Sequence, residues 1–196
     1  MSMGKKSRLA VSTGLSVEAS RSTARPPNIA TAALAAVVGE VHPLVPAVAG
    51  GNDMPFIEAA YRVGLTPIHT RSESGAAFAA NGIAWESGRP TLCLVITSVG
   101  VYGALQALYA ASVNRRPVVL LSGEVGATGW GAVQAGDGWD GPSVVEVTRP
   151  LTAWSFHAAA PDLVVRALRR AVALARDRRM PVHLNVPLGV QKAAAP

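Results

Sequence analysis

The sequence is poor in cysteine, in aromatic residues and in charge. Its 196 residues include one cysteine, 5% aromatic residues and 15% charged residues. A single thiol excludes an internal disulfide and a cysteine-rich metal site. Cys93 lies in the apolar run "TLCLVI", where cysteine usually packs as a small hydrophobic residue. No apolar run reaches the roughly 18 residues of a membrane span, and the basic N-terminus lacks the apolar centre of a signal peptide. We therefore expect a cytoplasmic protein that makes no membrane contact.

Several common ligand-binding motifs are also missing. Neither G-x-x-x-x-G-K-[ST] nor G-x-G-x-x-G occurs, which argues against a phosphate-loop, dinucleotide-binding or flavodoxin-like protein. The hydrolase motif G-x-S-x-G is absent as well. Of the four histidines, His42, His69, His157 and His183, no two have the spacing of metal ligands, and His183 lies inside a strand pattern that suggests a structural role. The sequence therefore predicts no metal site within this chain.

The positive charge of the chain is concentrated at one end. The formal net charge is +6, and residues 1–26 hold five of the 18 basic residues but one of the 12 acidic residues. We interpret residues 1–26 as a disordered basic tail and not as a nucleic-acid-binding arm, because solvated charged ends are the commoner case. The prediction is one folded domain over residues 27–192 that has no nucleic-acid partner.

Within that domain, helix patterns alternate with strand patterns. The runs "TLCLVI", "PVVLLSG" and "PVHLNVP" are continuously apolar, as is typical of parallel strands that are buried on both faces. The segments between them have helical spacing, so the sequence predicts a single three-layer α/β domain with a parallel sheet flanked by helices. The last helix shows the clearest apolar stripe, formed by Leu163, Ala167, Leu168, Ala171, Val172 and Ala175.

Small residues follow four of the predicted strands, in "AVAGGND", "HTRSESG", "ITSVGVYG" and "LSGEVGATGWG". Ligands of open parallel sheets bind at these carboxyl ends of the strands. Glu73 is the one acid in "HTRSESGAAFAANG", and Ala and Gly follow it closely. Such an acid can stabilise a helix N-terminus by roughly 0.3–1 kcal/mol through the helix dipole. Alternatively, its small neighbours leave room for a flat ligand beside the carboxylate.

The order of these segments resembles a known family. It is similar to the pyrimidine-binding (PYR) domain of thiamine diphosphate-dependent enzymes, in particular the acetolactate synthase branch, over roughly residues 28–192. That branch carries a glycine pair before a helix, an R-x-E-x-G-A-A pattern, a strand that ends in T-S-G-P-G and a strand that ends near T-G-x-V. The matching residues are Gly50-Gly51, Arg71 with Glu73 and Gly75-Ala76-Ala77, Thr97-Ser98, and Ser122-Gly123-Glu124-Val125.

This resemblance implies a catalytic role for Glu73. In the family, the corresponding glutamate hydrogen-bonds N1′ of the cofactor's aminopyrimidine ring, and the ring then removes the proton from thiazolium C2, which attacks a 2-oxo acid. The resemblance also implies that Gly50, Gly51, Ser98 and Gly100 lie beside thiamine diphosphate. The competing interpretation is a non-catalytic PYR-like protein that binds or regulates a partner, and the presence of Glu73 argues against it.

The sequence departs from the family pattern in three places. Ser72 stands where the branch often has His, and Val99 and Val101 replace glycines of T-S-G-P-G. Trp139 and Asp140 correspond best to the branch's F-Q-E segment. Since those residues line the substrate region in relatives, we expect Trp139 and Asp140 to contact the substrate, and the substrate itself to differ from pyruvate.

The resemblance covers only half of the expected active site. The family's diphosphate-binding (PP) domain holds Mg²⁺ through G-D-G and an Asn that follows about 25–30 residues later. A "GDG" occurs at 136–138, but no Asn lies between Asn114 and Asn185. We therefore interpret "GDG" as unrelated to metal binding. The expectation is a split enzyme, an α2β2 heterotetramer in which a separate PP subunit holds Mg²⁺ and shares the cofactor with this chain.

Overall fold

The computed structural model describes residues 27–96, 98–125 and 143–195. The predicted tail at 1–26, the "GDG" at 136–138, and the predicted substrate residues Trp139 and Asp140 lie outside the described residues.

Six parallel strands form one sheet. They are β1 (Leu44–Ala47), β2 (Thr66–His69), β3 (Thr91–Val95), β4 (Val118–Glu124), β5 (Ser155–His157) and β6 (Val182–Pro187). Their order across the sheet is β2-β1-β3-β4-β6-β5, and every pairing between neighbours is parallel. The carboxyl ends of all six strands therefore share one edge of the sheet.

Seven helices pack around this sheet in the described part of the chain. They are α1 (Ile29–Ala35), α2 (Met54–Arg62), α3 (Glu73–Ser87), α4 (Val99–Val113), α5 (Val144–Thr148), α6 (Pro161–Arg178) and α7 (Leu188–Lys192). The buried side chains of α1, α2, α6 and α7 belong to one hydrophobic cluster, and those of α3, α4 and α5 belong to a second. The two clusters lie on opposite faces of the sheet, so the predicted three-layer α/β arrangement is confirmed.

The central strands explain why the apolar runs are continuous. Every residue of β3, β4 and β6 is buried, because helices cover both faces of the sheet at these positions. Strand β2 lies at an edge, and three of its four residues are exposed. Cys93 is fully buried in β3, as predicted, and burial raises the pKa of its thiol.

The structure also corrects details of the predicted elements. Leu163 is only partly buried, and Val164 takes its place in the stripe of α6. Helix α1 ends at Ala35, and the chain continues in turns through Val37 and Val38, which are poorer helix formers than Ala. No element type was predicted for α5, β5 or α7, since elements of three to five residues are too short to show a period.

None of the helices in the described ranges is both long and apolar enough to cross a lipid bilayer.

Candidate functional site at the carboxyl edge of the sheet

Glu73 is the first residue of α3, directly after the loop that leaves β2. The helix cap itself is Ser72, whose Oγ accepts a hydrogen bond from Gly75 N at 3.1 Å. The loop is tied to the sheet because Thr70 N donates to Ala47 O at the end of β1, at 2.9 Å. Ser72 therefore satisfies the N-terminus of α3, and the Glu73 side chain is not needed as its cap.

The Glu73 side chain instead lies against the first turn of α4. A Cβ atom built on Gly100 would stand 3.1 Å from Glu73 Cγ and 3.3 Å from its Oε1, and one built on Gly103 would stand 3.4 Å from Glu73 Cβ. Among the described residues, no hydrogen bond or ion pair engages the Glu73 carboxylate, which is only partly buried. The two glycines thus allow α4 to pack closely against a carboxylate that no described residue pairs.

Helix α4 begins at a strained residue. Ser98 precedes it with φ 46° and ψ −93°, a conformation that side-chain-bearing residues rarely adopt, and its side chain is buried. Strain of this kind costs of order 1–3 kcal/mol and concentrates at binding sites. The strain lies two residues before Gly100, at the end of β3 where the sequence predicted a ligand contact.

The loop after β1 packs against the end of β3 at Ile96. Gly50 packs so closely on Ile96 that a Cβ atom at residue 50 would overlap Ile96 Cγ2. Gly50 N donates to Asp53 Oδ1 at 2.8 Å, while the second oxygen of this buried carboxyl has no hydrogen-bond partner among the described residues. Burial raises the pKa of Asp53 to about 6, hydrogen bonds from backbone N–H groups oppose the rise, and the charge of Glu73 adds to it.

A third acid, Glu124, lies at the end of β4. Burial raises the pKa of Glu124 to about 7, and its Oε2 is 3.6 Å from His157 Nδ1. The loop after β1 reaches this strand, since Asn52 O lies against Gly123 where a Cβ atom would overlap it. Three carboxyl groups therefore lie along the edge formed by the ends of β1, β3 and β4: those of Asp53, Glu73 and Glu124.

Below Glu124, a chain of hydrogen bonds fixes the strand ends. Asn185 Nδ2 donates to Ser122 Oγ at 2.9 Å, so Asn185 Oδ1 is the acceptor for His157 Nδ1 at 2.5 Å. His183 joins Ser122 Oγ and Thr148 Oγ1, each at 2.8 Å. Burial, aided by the charge of His157, lowers the pKa of His183 to about 3. His183 is therefore a neutral structural residue, which agrees with the prediction.

The structure brings most of the predicted site residues together. Glu73, Ser98 and Gly100 lie at one end of β3 and α4, and Gly50 lies on the other side of Ile96. Gly51 is exposed, and a Cβ atom there would meet no described atom within 4 Å.

Sequence reasoning missed Asp53, Ile96, Gly103 and Glu124 as parts of this edge. Asp53 directly precedes "MPF" in the sequence, and an aspartate in that position indicates only the start of a helix. Glu124 was visible as the variable residue of the T-G-x-V segment.

Comparison with known proteins decides the family. Residues 30–143 match the model of the thiamine pyrophosphate enzyme, N-terminal TPP-binding domain. The chain belongs to this family. The resemblance to PYR domains is thereby confirmed.

The chain is similar to curated proteins of two activities. It is 33% identical to a probable 2-ketoarginine decarboxylase of Pseudomonas aeruginosa over 135 residues, which is 66% of this chain and 23% of the relative. It is 31% identical to the chloroplastic acetolactate synthase 1 of Zea mays over 148 residues, 74% of this chain and 23% of the relative. The chain thus spans about a quarter of the length of these relatives.

Solved structures share the fold. One, from Mycobacterium smegmatis, is named a "putative thiamin diphosphate-dependent enzyme" and has a TM-score of 0.75 and 22% identity over 87% of this chain and 32% of that one. Another is benzoylformate decarboxylase from Polynucleobacter necessarius, with a TM-score of 0.75 and 18% identity over 86% of this chain and 31% of that one.

The residues at the carboxyl edge fit the aminopyrimidine half of the cofactor. The Glu73 carboxylate is partly exposed, has no partner among the described residues and lies against Gly100 and Gly103, and a buried oxygen of Asp53 is unpaired as well. When bound, thiamine diphosphate supplies a carbon nucleophile for 2-oxo acid chemistry. The fit does not extend to the diphosphate end, since the described ranges contain no cluster of three or more metal-ligating side chains.

Proposed function

We propose that this chain is the PYR half of a thiamine diphosphate-dependent enzyme that acts on a 2-oxo acid, by decarboxylation, acyl transfer or both. The observation that carries the proposal is the Glu73 carboxylate, which has no partner among the described residues and lies against two glycines of α4. Glu73 binds N1′ of the aminopyrimidine and exchanges its proton with the ring. Ser98, Gly100 and Gly50 shape the space beside it.

The diphosphate half comes from a PP domain outside these 196 residues. We propose a separate PP subunit that holds Mg²⁺ and the diphosphate, in a cytoplasmic α2β2 assembly that shares each cofactor between the two kinds of chain. The support is the sequence itself, which has no Asn at the required distance after the "GDG" at 136–138. Gly51 remains a proposed cofactor neighbour, and Trp139 and Asp140 remain proposed substrate contacts.

The outer face of α3 and α4 supplies a surface for this assembly. Six large apolar side chains of these helices are 41–67% exposed: Phe78, Trp85, Val99, Tyr102, Tyr109 and Val113. We call them the α3–α4 surface. Val99 and Tyr102 lie in the same turn of α4 as Gly100, so the surface reaches the Glu73 site. A partner that covered it would also enclose the cofactor.

The test is turnover of 2-oxo acids by this chain together with a candidate PP subunit, thiamine diphosphate and Mg²⁺. Glu73→Gln keeps the size of the side chain but cannot exchange the proton, so we expect turnover to fall by at least about 10²-fold. Glu58→Gln, on an exposed position of α2, is the matched control and should leave turnover unchanged. Equal activity in the Glu73 variant and the wild type would refute the proposal.

A further inference from the structure

Asp53 is a buried carboxyl group that the fold satisfies only in part. Its residue is 1% exposed. Oδ1 accepts the hydrogen bond from Gly50 N, but Oδ2 has no partner among the described residues. An unpaired buried polar atom destabilises the fold, because the atom has lost its hydrogen bonds to water. Serine or threonine could start α2 at this position without that cost, so the carboxyl group needs an explanation beyond helix capping.

The geometry places Asp53 opposite Glu73. A Cβ atom on Gly50 would overlap Ile96 Cγ2 and stand 3.6 Å from Asp53 Oδ1. A Cβ atom on Gly100 would stand 2.9 Å from Ile96 Cγ1 and 3.3 Å from Glu73 Oε1. The Ile96 side chain therefore packs between Gly50, which lies beside Asp53, and Gly100, which lies beside Glu73.

The charges around Asp53 come from few sources. Burial is the main cause of its raised pKa of about 6, and the side-chain charge that adds to it is that of Glu73. The other charged groups of α2 and α7, Glu58, Arg62 and Lys192, line a cleft of about 550 Å³ that Asp53 does not line, and Glu124 lies along the same edge at the end of β4. The protonation of Asp53 thus depends on the charges of the site and not on the charges at the outer surface of α2.

We propose that Asp53 is a positioning residue of the active site, a second proton-holding group coupled to Glu73 across Ile96. This inference rests on the proposed function of Glu73. Coupling between two ionisations is reciprocal. The charge state of Asp53 therefore affects the exchange of each proton between Glu73 and a ligand. When Asp53 holds its proton, the Asp53 carboxyl group is neutral and Glu73 is the one acid of the pair that can carry a negative charge. When that proton passes to solvent, the Asp53 carboxylate adds a negative charge across Ile96 from Glu73.

The test is carboxyl NMR of the whole chain with ¹³C-labelled aspartate, titrated from pH 4 to pH 8. The Asp53 signal, assigned by its loss in Asp53→Asn, should titrate near pH 6. In Glu73→Gln its midpoint should fall by more than about 0.3 pH units, because the neighbouring charge is gone. In Glu58→Gln it should not move. Glu73→Ser is the second variant, since serine also suits a helix start and protects the test against a poorly folded Gln variant.

Two results would overturn this proposal. One is an Asp53 midpoint near that of an ordinary aspartate in the wild type, and the other is an unchanged midpoint in both Glu73 variants. The measurement needs neither the PP subunit nor the cofactor. A failure to find 2-oxo acid turnover would thus count against the proposed function alone, and an uncoupled Asp53 would count against this inference alone.

Discussion

Glu73 and Gly100 are in direct contact between α3 and α4, close enough that a Cβ atom at residue 100 would stand 3.1 Å from Glu73 Cγ. The contact joins two helices that begin at the ends of different strands, β2 and β3. Such a close approach needs a residue without a side chain at position 100, and it fixes where the carboxylate can lie. The position of Glu73 therefore depends on a glycine 27 residues away in the sequence.

Gly100→Ala tests this contact. The added methyl group would also meet Ile96 Cγ1 at 2.9 Å, so we expect the free energy of unfolding to fall by about 1–3 kcal/mol and 2-oxo acid turnover of the reconstituted enzyme to drop because Glu73 is displaced. Urea denaturation and turnover measure the two effects. Gly82→Ala in α3 is the control, since nothing lies within 4 Å of its Cβ position. It should stabilise the chain by roughly 0.5–1 kcal/mol, and a Gly100 variant that behaved like it would contradict the contact.

Asp53→Asn should stabilise the chain in a pH-dependent way. The pKa of Asp53 is about 6 in the fold, against an ordinary value of 3.8, so the protonated acid favours folding. Its contribution is fully present below about pH 4 and is lost as the pH rises through about 6. Asparagine resembles the protonated acid at every pH. We expect little difference at pH 4 and a gain of up to about 3 kcal/mol at pH 7.5, since each pH unit is worth about 1.4 kcal/mol.

Denaturation curves at both pH values measure this gain. Asp162→Asn, on an exposed aspartate in the first turn of α6, is the control and should show no such gain with rising pH. A variant of Asp53 that was less stable than the wild type at pH 7.5 would show that the carboxylate is paired in solution.

The fold was predictable from the sequence because its signals are local. Continuous apolar runs gave β3, β4 and β6, and the stripe of α6 gave a surface helix. The parts of the site that come from strand order were not predictable. Nothing around Asp53 in the sequence indicates that its side chain turns back to Gly50 N, or that Ile96 separates it from Glu73. Glu73 itself was found through the family resemblance, since a lone acid at a helix start usually serves only the helix dipole.

The isolated chain should bind thiamine diphosphate weakly. The described residues offer no metal cluster for the diphosphate, and the ring alone gives a small contact area. We expect calorimetry with Mg²⁺ to show a Kd weaker than about 100 µM for this chain, and a much tighter Kd once the PP subunit is added under the same conditions. Micromolar affinity of the chain alone, about −8 kcal/mol, would mean that it holds the diphosphate without a partner.

The last prediction concerns assembly through the α3–α4 surface. Trp85 and Tyr109 are 67% and 61% exposed, and the Arg116 guanidinium lies 4.6 Å from the ring centroid of Trp85. Tryptophan, tyrosine and arginine are the residue types that dominate binding energy at protein interfaces. An exposed apolar surface of this kind favours self-association. We therefore expect the chain alone to run as a homodimer of about 40 kDa, twice its 20.2 kDa mass, and to form an α2β2 complex when the PP subunit is added.

Light scattering coupled to size exclusion measures both states. Tyr109→Lys should weaken both, whereas Tyr61→Lys, at a tyrosine of α2 that is 56% exposed, should weaken neither. A strictly monomeric chain that the PP subunit leaves unchanged would show that α3 and α4 only cover the sheet of their own subunit.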